Sequence, residues 1–345
     1  MDIKKTLFDL CALPGVSGYE NTVAARACEM LRDYCDSTEL TPLGNAVGIR
    51  SCGLADAPKI LLDAHLDQIG FIVSGYEKGG FVRFVTSGGF DPRLLQAKEV
   101  YADTEDGESV YGIISALPPH VQTPAERGKA VPVSGMLIDF GISDEKLREK
   151  IKIGTPVRLA APHFELMNGF IGGCGLDDRA GFVAILYALD LLKNKNLKAD
   201  VIALGSSGEE RLQMGATTGA FATRPDYAIA VDVTHATSPD VSKAKGFPAG
   251  SGACITRGTS LNRKLTEKMI SVAKDKEIAH TIEVAAGHTG TNATPMQVVR
   301  VGIATGLASL PLRYMHSPVE VIKTEDIEAV GRLLAETIAA MFEEV

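Results

Sequence analysis

The fold class is decided by one stretch, Ala199-Asp-Val-Ile-Ala-Leu-Gly-Ser-Ser-Gly-Glu-Glu210. Its apolar residues have the length of a buried strand, and two adjacent carboxylates follow the point where that strand ends. Neighbouring side chains on an extended or turning backbone point apart, so one carboxylate can reach a cation while the other accepts a proton. Adjacent glutamates are also common at solvated helix starts, so the pair gains meaning only from the residues around it.

Three further runs of strand length have polar residues at or just beyond their ends, at 59–63, 227–233 and 300–305. Apolar residues at helical spacing after Asp178, and again from Ile327 to Met341, predict two long helices. Strands and helices together predict an α/β fold, with a mixed sheet flanked by helices. Because ligands of such sheets bind beyond the carboxyl ends of the strands, we expect these polar residues to share one site.

The middle of the chain has a different pattern, with short strand-like pieces separated by Gly79-Gly80, Gly88-Gly89 and Asp106-Gly107. This pattern predicts a small, barrel-like β-rich domain inserted into the α/β domain. We place the insertion at residues 73–162 and the catalytic domain at residues 1–72 and 163–345. The insertion is expected to act as a lid and as an oligomer contact.

Composition restricts the classes of function. The 345 residues carry a formal charge of -8, which disfavours a nucleic-acid partner because phosphate binding relies on clustered Lys and Arg. No apolar stretch approaches the roughly 18 residues of a membrane span, and the N-terminus lacks the apolar core of a secretory signal. We therefore expect a cytoplasmic protein without a membrane partner. The six cysteines form no Cys-x-x-Cys pair, which argues against a structural zinc site of the usual spacing.

Five separate pieces of the chain carry residues suited to metal chemistry. Each alone has an ordinary explanation, such as a core histidine, a helix N-cap, a turn residue at a strand end or a surface histidine. Together they supply imidazole and carboxylate groups from successive strand ends, which is the donor set of a divalent metal site. The pieces are His65-Leu-Asp67, Asp177-Asp178-Arg179, Glu209-Glu210, Asp232 and His316.

The order of these pieces and the residues around them resemble the motifs of the dinuclear metallo-aminopeptidases of the glutamyl and deblocking type. Members of that family assemble as tetrahedral particles, and some carry an endoglucanase label. The similarity extends from Pro14-Gly-Val-Ser-Gly-Tyr-Glu20 to the final helix, so it covers essentially the whole chain. The motifs that carry it, in order, are Asp63-Ala-His-Leu-Asp-Gln-Ile-Gly-Phe71, Leu176-Asp-Asp-Arg179, Gly208-Glu-Glu210, Ala230-Val-Asp-Val-Thr-His235 and Arg313-Tyr-Met-His-Ser-Pro-Val-Glu320.

The resemblance implies a ligand set for two divalent ions. Asp177 would bridge them, with His65 and Asp232 completing one site and Glu210 and His316 the other. Zinc is the expected metal, with cobalt or manganese as alternatives, because mixed imidazole and carboxylate ligands accept all three. Three ligand carboxylates and one bridging hydroxide would balance the four positive charges of the two ions.

The resemblance also implies roles for two further acidic residues. Glu209 would be the general base, and Asp67 would orient the ring of His65 through its carboxylate. A cis peptide bond between Asp177 and Asp178 is expected as well.

These roles predict a metal-dependent aminopeptidase that hydrolyses N-terminal residues from short peptides and forms a homo-oligomer, with a dodecamer as one candidate. Two alternatives stay open. One is a related metallopeptidase or deacylase that removes a blocking group or a C-terminal residue, and the other is an inactive oligomeric homologue. A cellulase is disfavoured, because glycoside hydrolysis relies on two metal-free carboxylates and on stacking surfaces.

Three departures from the family pattern lie near the motifs. Arg211-Leu212 follows the glutamate pair where a glycine is frequent two residues on, and Asn292 stands where an aspartate is frequent. Gly172-Gly-Cys-Gly175, ahead of the Asp177-Asp178 pair, is also unusual. Their effect on the substrate pocket, the preferred N-terminal residue, the native metal and the oligomer size are left undetermined by the sequence.

Overall fold

A computed structural model describes residues 1–125, 127–239, 241 and 246–343. The helices are α1 (Ile3–Cys11), α2 (Asn21–Leu31), α3 (Asp144–Lys150), α4 (Leu176–Leu192), α5 (Glu209–Leu212), α6 (Met214–Thr223), α7 (Arg263–Asp275), α8 (Ala293–Met296) and α9 (Thr324–Phe342). The strands are β1 (Ser37–Leu40), β2 (Ala46–Arg50), β3 (Lys59–His65), β4 (Gly70–Glu77), β5 (Phe81–Ser87), β6 (Glu99–Asp103), β7 (Ser109–Ile114), β8 (Ile138–Asp139), β9 (Pro156–Leu159), β10 (Phe164–Glu165), β11 (Phe170–Gly173), β12 (Asp200–Ser206), β13 (Tyr227–His235), β14 (Ala253–Gly258), β15 (His280–Ala285), β16 (Ala304–Leu312) and β17 (Glu320–Lys323).

The main sheet has eight strands in the order β1-β2-β12-β3-β13-β16-β14-β15. Its four central strands, β12, β3, β13 and β16, are parallel to one another. The flanking pairs β2–β12 and β14–β16 are antiparallel, so the sheet is mixed. The central strands therefore all end at the same edge, and the residues that follow them are brought together there.

The fourth predicted strand was placed too early in the sequence. The structure has a turn at 300–303, in which Arg300 and Gly302 both have positive φ, at 59° and 99°. The strand β16 begins only at Ala304, whose register partner is Tyr227 on β13. Apolar residues occur on both sides of this turn, so composition alone could not locate the strand start.

A second unit is built from β4 to β9, which close into a six-stranded barrel in the order β4-β5-β8-β7-β6-β9. Its neighbouring strands are antiparallel, and the barrel encloses an apolar cluster of its own that includes Phe71, Val100 and Ile138. The α/β fold with a mixed sheet and an inserted barrel is thereby confirmed. The domain boundaries at 73 and 162 stay predictions.

Helix α4 is the most deeply buried helix of the site region, and it packs against β3 and α9. Its residue Arg179 is fully buried and donates to the backbone carbonyls of Leu10, Leu13 and Leu66. These bonds tie the start of α4 to α1 and to the segment after β3, which fixes the position of Asp177, two residues before Arg179. Within the described ranges, no helix has the length and apolar character needed to span a membrane.

Candidate metal centre

The predicted ligands converge at the carboxyl edge of the main sheet. His65 is the last residue of β3, Asp232 lies near the end of β13, and the glutamate pair follows β12 after Gly208. Gly208 has a φ of 66°, a left-handed conformation that lets the chain turn directly from strand to helix α5. The predicted ligands line a cavity of about 560 Å³. We call these five residues the ligand cluster; they are His65, Asp177, Glu210, Asp232 and His316. Glu209 lines the same cavity beside them.

Asp177 lies between two histidines, and the peptide bond joining it to Asp178 is cis, which confirms that expectation. Its Oδ1 is 3.1 Å from Nε2 of His65, and its Oδ2 is 3.6 Å from Nε2 of His316. The other ring nitrogen of His65, Nδ1, is 2.9 Å from the backbone carbonyl oxygen of Asp67, which can accept a hydrogen bond from it. This contact fixes the ring so that Nε2 faces Asp177. Each oxygen of one carboxylate therefore faces a different imidazole.

His316 is fixed by two glutamates. Its Nε2 is 3.2 Å from Oε1 of Glu210, and its backbone N–H donates to Oε1 of Glu320 at 3.3 Å. The other oxygen of Glu320 accepts the backbone N–H groups of Leu176 and Asp177, at 2.9 and 3.2 Å. Because Glu320 is only 2% exposed, its carboxylate holds His316 and Asp177 in a fixed relation to each other.

Asp67 is fully buried and orients two parts of the site. Its Oδ1 accepts the backbone N–H of Glu209 at 2.9 Å, and its Oδ2 accepts that of Glu210 at 3.1 Å. The carboxylate is 3.6 Å from Nδ1 of His65, and the backbone carbonyl of Asp67 is closer to the same nitrogen, at 2.9 Å. That the carboxylate orients the ring of His65 stays a prediction. Burial opposes ionisation of Asp67, but the contact with His65 and the N–H of Glu209 outweigh it and lower its pKa.

A second buried carboxylate extends this anchoring by one residue. Oε1 of Glu20 accepts the backbone N–H groups of Gly208, at 2.9 Å, and of Gly18, at 2.7 Å. Three consecutive amides, at residues 208–210, are therefore held by two carboxylates. Burial is the main reason that the pKa of Glu20 is raised to about 7, and the charge of Asp67 adds to the effect.

Asp178 is a buried carboxylate to which the sequence reasoning assigned no role. Its carboxylate oxygen lies with a ring nitrogen of His65 and a carboxylate oxygen of Asp232 in a group whose atoms are all within 4.8 Å of one another. His65, Asp177 and Glu210 form a second group of the same size. Oδ2 of Asp178 has no hydrogen-bond partner among the described residues. The geometry thus offers one more donor than the sequence predicted.

The electrostatics of the cluster favour a positive charge. Burial is the largest cause that raises the pKa of Glu209 and of Glu210, and neighbouring carboxylates add to it. The same causes raise the pKa of Asp178 and of Asp232 well above the usual range. The hydrogen bond with Glu210 raises the pKa of His316 to about 9, even though burial acts in the opposite direction.

These residues fit divalent metal ions. Imidazole nitrogens and carboxylate oxygens form the donor set that zinc, cobalt and manganese accept. The carboxylates are buried and crowded, and bound cations would offset both the burial and the mutual repulsion that raise their pKa. The oxygen of Asp178 without a partner is a further donor that a cation could satisfy. The roles of individual ligands stay predictions.

Away from the ligand cluster, the cavity is bounded by what we call the Glu283 wall, formed by Thr234, Thr256 and Glu283. Oε1 of Glu283 accepts the hydroxyl of Thr234 at 3.2 Å, and Oε2 accepts that of Thr256 at 3.1 Å. Arg211 and Leu212 also line the cavity and are exposed, Leu212 at 73%. The sequence departure after the glutamate pair therefore lies at this cavity.

Asn292 has a different position from Arg211 and Leu212. It is 1% exposed, and its Nδ2 donates to Oδ2 of Asp63 at 2.8 Å and to the hydroxyl of Ser206 at 2.9 Å. This amide links β3 and β12 beneath the site. An aspartate at this position would place two carboxylates in contact, so the asparagine has a structural reason that does not involve substrate.

Four acidic residues of the site had no predicted role, and they differ in how clearly the sequence marked them as candidates. Glu20 and Glu320 lie inside motifs that carried the family resemblance, so their positions were marked although their contacts were not. Asp178 adjoined a predicted ligand. Glu283 belongs to the edge strand β15 and to no motif, so only the register of β14 and β15, which pairs Thr256 with Glu283, brings it to the cavity.

Comparison with known proteins identifies the family. The model of the M42 glutamyl aminopeptidase family matches residues 44–333. A lysyl aminopeptidase of Pyrococcus furiosus is 35% identical over 325 residues, which cover 93% of this chain and 92% of that protein.

Two solved structures have the same architecture. The aminopeptidase APDkam598 from Desulfurococcus kamchatkensis is 31% identical, with a TM-score of 0.91, and the match covers 99% of this chain and 95% of that one. The TET1 peptidase of Pyrococcus horikoshii can assemble into a tetrahedron or a large octahedral shell. It is 29% identical, with a TM-score of 0.85, and the match covers 97% of this chain and 98% of that one. The chain belongs to the M42 glutamyl aminopeptidase family.

Proposed function

We propose that this protein is a metal-dependent aminopeptidase that removes N-terminal residues from short peptides. Family membership supports the class of reaction. The observation that carries the proposal is the position of Asp177, whose two oxygens face His65 and His316 separately inside the cavity. A carboxylate presented to two imidazoles in this way is suited to hold two cations side by side.

Two divalent ions per chain are the proposed cofactors, with zinc ahead of cobalt and manganese. The ligand cluster would hold them, with Asp177 shared between the two ions and Asp178 as a further donor near Asp232. When bound, such ions polarise the scissile carbonyl and lower the pKa of a water molecule toward neutrality.

Glu209 is the proposed general base. Its backbone N–H is fixed by Asp67, and its Oε1 accepts a hydrogen bond from Nε2 of Gln213 at 2.9 Å, so the carboxylate is held at the cavity. Burial raises its pKa, which brings its proton affinity closer to that needed for transfer near neutral pH. Glu209 would take the proton of the attacking water and deliver it to the leaving amine.

Assays on matched substrates separate the alternatives. The same short peptides are offered with a free or an acetylated N-terminus, and release of the first residue is followed by chromatography. Hydrolysis that requires the free amine supports an aminopeptidase. Cleavage of the acetylated peptides, or release of C-terminal residues, would instead identify the related deacylase or carboxypeptidase reaction. No hydrolysis of any peptide by the metal-loaded protein would favour the inactive homologue.

Metal content tests the cofactor proposal directly. Elemental analysis of protein purified without chelator, and after reconstitution with zinc, cobalt or manganese, should give about two ions per chain. A stoichiometry near zero after reconstitution with all three metals would contradict it.

The proposed assembly is a homo-oligomer in the cytoplasm, with a dodecamer as one candidate. An exposed apolar groove lined by Phe221, Pro295 and Val298 supports contact with a second copy, because such patches are unusual on monomers. The inserted domain at 73–162 is proposed as lid and oligomer contact. Its Gly88 lies close to Glu210, since a Cβ there would be 3.4 Å from the carboxylate. Light scattering of the intact chain measures the subunit number.

A further inference from the structure

Glu283 is an acidic side chain in the substrate cavity that the proposed reaction does not use. It lies on the edge strand β15, half-buried, with one threonine hydroxyl donating to each of its oxygens. Thr234 and Thr256 are themselves buried, at 7% and 1% exposure. The carboxylate is therefore held in one orientation by neutral groups.

No cation neutralises this carboxylate within the described part of the chain. Among the described residues, the polar contacts of Glu283 are the two hydroxyls, and its carboxylate lines the cavity. Arg211, which also lines the cavity, is exposed and forms no ion pair with Glu283 among the described residues. In a partly desolvated cavity, an unpaired negative charge attracts a cation more strongly than it would in water.

The strand spacing between the ligand cluster and Thr234, which contacts Glu283, is comparable to the length of a basic side chain. Thr234 is two residues beyond Asp232 on β13, so both side chains emerge on the same face of the sheet. Two residues of a strand span about 7 Å. The four-carbon stem of lysine covers a comparable distance between its α-carbon and its ammonium group.

We propose that Glu283 binds the cationic side chain of an N-terminal lysine or arginine and so makes basic residues the preferred substrates. This inference rests on the proposed aminopeptidase function. The α-amine of the substrate is adjacent to the scissile carbonyl and must lie near the ligand cluster, whereas Glu283 lies farther along the cavity. The structure therefore assigns Glu283 to the side chain of the first residue.

The test compares two substrates of similar length that differ in charge. Hydrolysis of lysyl and norleucyl p-nitroanilides by the metal-loaded wild-type protein is measured as kcat/KM, together with inhibition by free lysine and free norleucine. We expect the wild type to favour lysyl over norleucyl substrates. Glu283→Gln should reduce kcat/KM for lysyl substrates by roughly 10- to 100-fold, the range for a hydrogen bond to a charged group, and should leave norleucyl hydrolysis unchanged. Inhibition by lysine should weaken in parallel.

The matched control is Glu145→Gln, which changes an exposed glutamate on α3. It should change kcat/KM for neither the lysyl nor the norleucyl substrate. The norleucyl rate of Glu283→Gln shows that this variant is folded and metal-loaded. An equal loss on both substrates, which a role in binding the α-amine or in folding would produce, overturns the proposal, as does an unchanged lysyl rate. If the wild type hydrolyses neither substrate nor any free peptide, the aminopeptidase function itself fails, which is a different result.

Discussion

The ligand cluster and the Glu283 wall are two acidic regions of one cavity, but they hold their charges differently. In the ligand cluster, carboxylates contact imidazoles and one another, and burial with mutual repulsion raises the pKa of several of them. In the Glu283 wall, a single carboxylate is held by two neutral hydroxyls. Crowded carboxylates are stabilised by cations that stay bound to the protein. A single carboxylate can instead bind a cationic group that arrives with the substrate and leaves with the product.

The largest effect is expected from the proton acceptor beside the ligand cluster. Glu209→Gln should reduce kcat by roughly 10² to 10⁴, the usual range for a general base, while both metal ions stay bound. The glutamine can still accept the hydrogen bond from Gln213, so the fold should be kept. Steady-state kinetics and elemental analysis on the same sample provide the measurement. A variant with near wild-type turnover would remove Glu209 from the reaction.

Glu210→Ala tests the neighbouring carboxylate, for which a different result is expected. It removes the oxygen that lies 3.2 Å from Nε2 of His316 and should lower metal content from about two ions per chain to about one. Elemental analysis after dialysis checks this. If Glu209→Gln and Glu210→Ala retained equal metal, the proposed division between base and ligand would be wrong.

Glu320→Gln should have a smaller effect on the ligand cluster, because Glu320 acts through other residues. Glutamine keeps only one carbonyl oxygen to accept backbone N–H groups from both Asp177 and His316. We expect metal affinity to fall by roughly 10- to 100-fold, as for other groups that orient metal ligands. Metal titration gives the affinity, and the melting temperature of the metal-free protein serves as control. A large drop in that temperature with unchanged affinity would point to a purely structural role.

The smallest effect is expected in the Glu283 wall. Thr256→Val keeps the side-chain shape but removes one of the two hydroxyls that orient Glu283. The kcat/KM for lysyl substrates should fall by roughly 2- to 10-fold, the contribution of one hydrogen bond, with norleucyl hydrolysis unchanged. An equal loss on lysyl and norleucyl substrates would show that Thr256 shapes the cavity without acting through Glu283.

Prediction from the sequence worked best where the pattern is local. Apolar runs followed by polar residues located β3, β12 and β13, since each run fills one buried strand. It failed at β16, because apolar residues continue through the turn at Arg300. It also assigned no role to Asp178, because the position of its carboxylate beside His65 and Asp232 depends on how separate strands pack.

The sequence by itself determined the α/β class, the inserted barrel and the set of acidic and imidazole groups near strand ends, because strand ends and residue types are local properties. Only the tertiary structure decided which groups meet. The parallel register of β3, β12, β13 and β16 brings the ligand cluster together, and the register of β14 with β15 brings Glu283 to the cavity. Contacts between residues more than a hundred positions apart depend on packing, which no local pattern encodes.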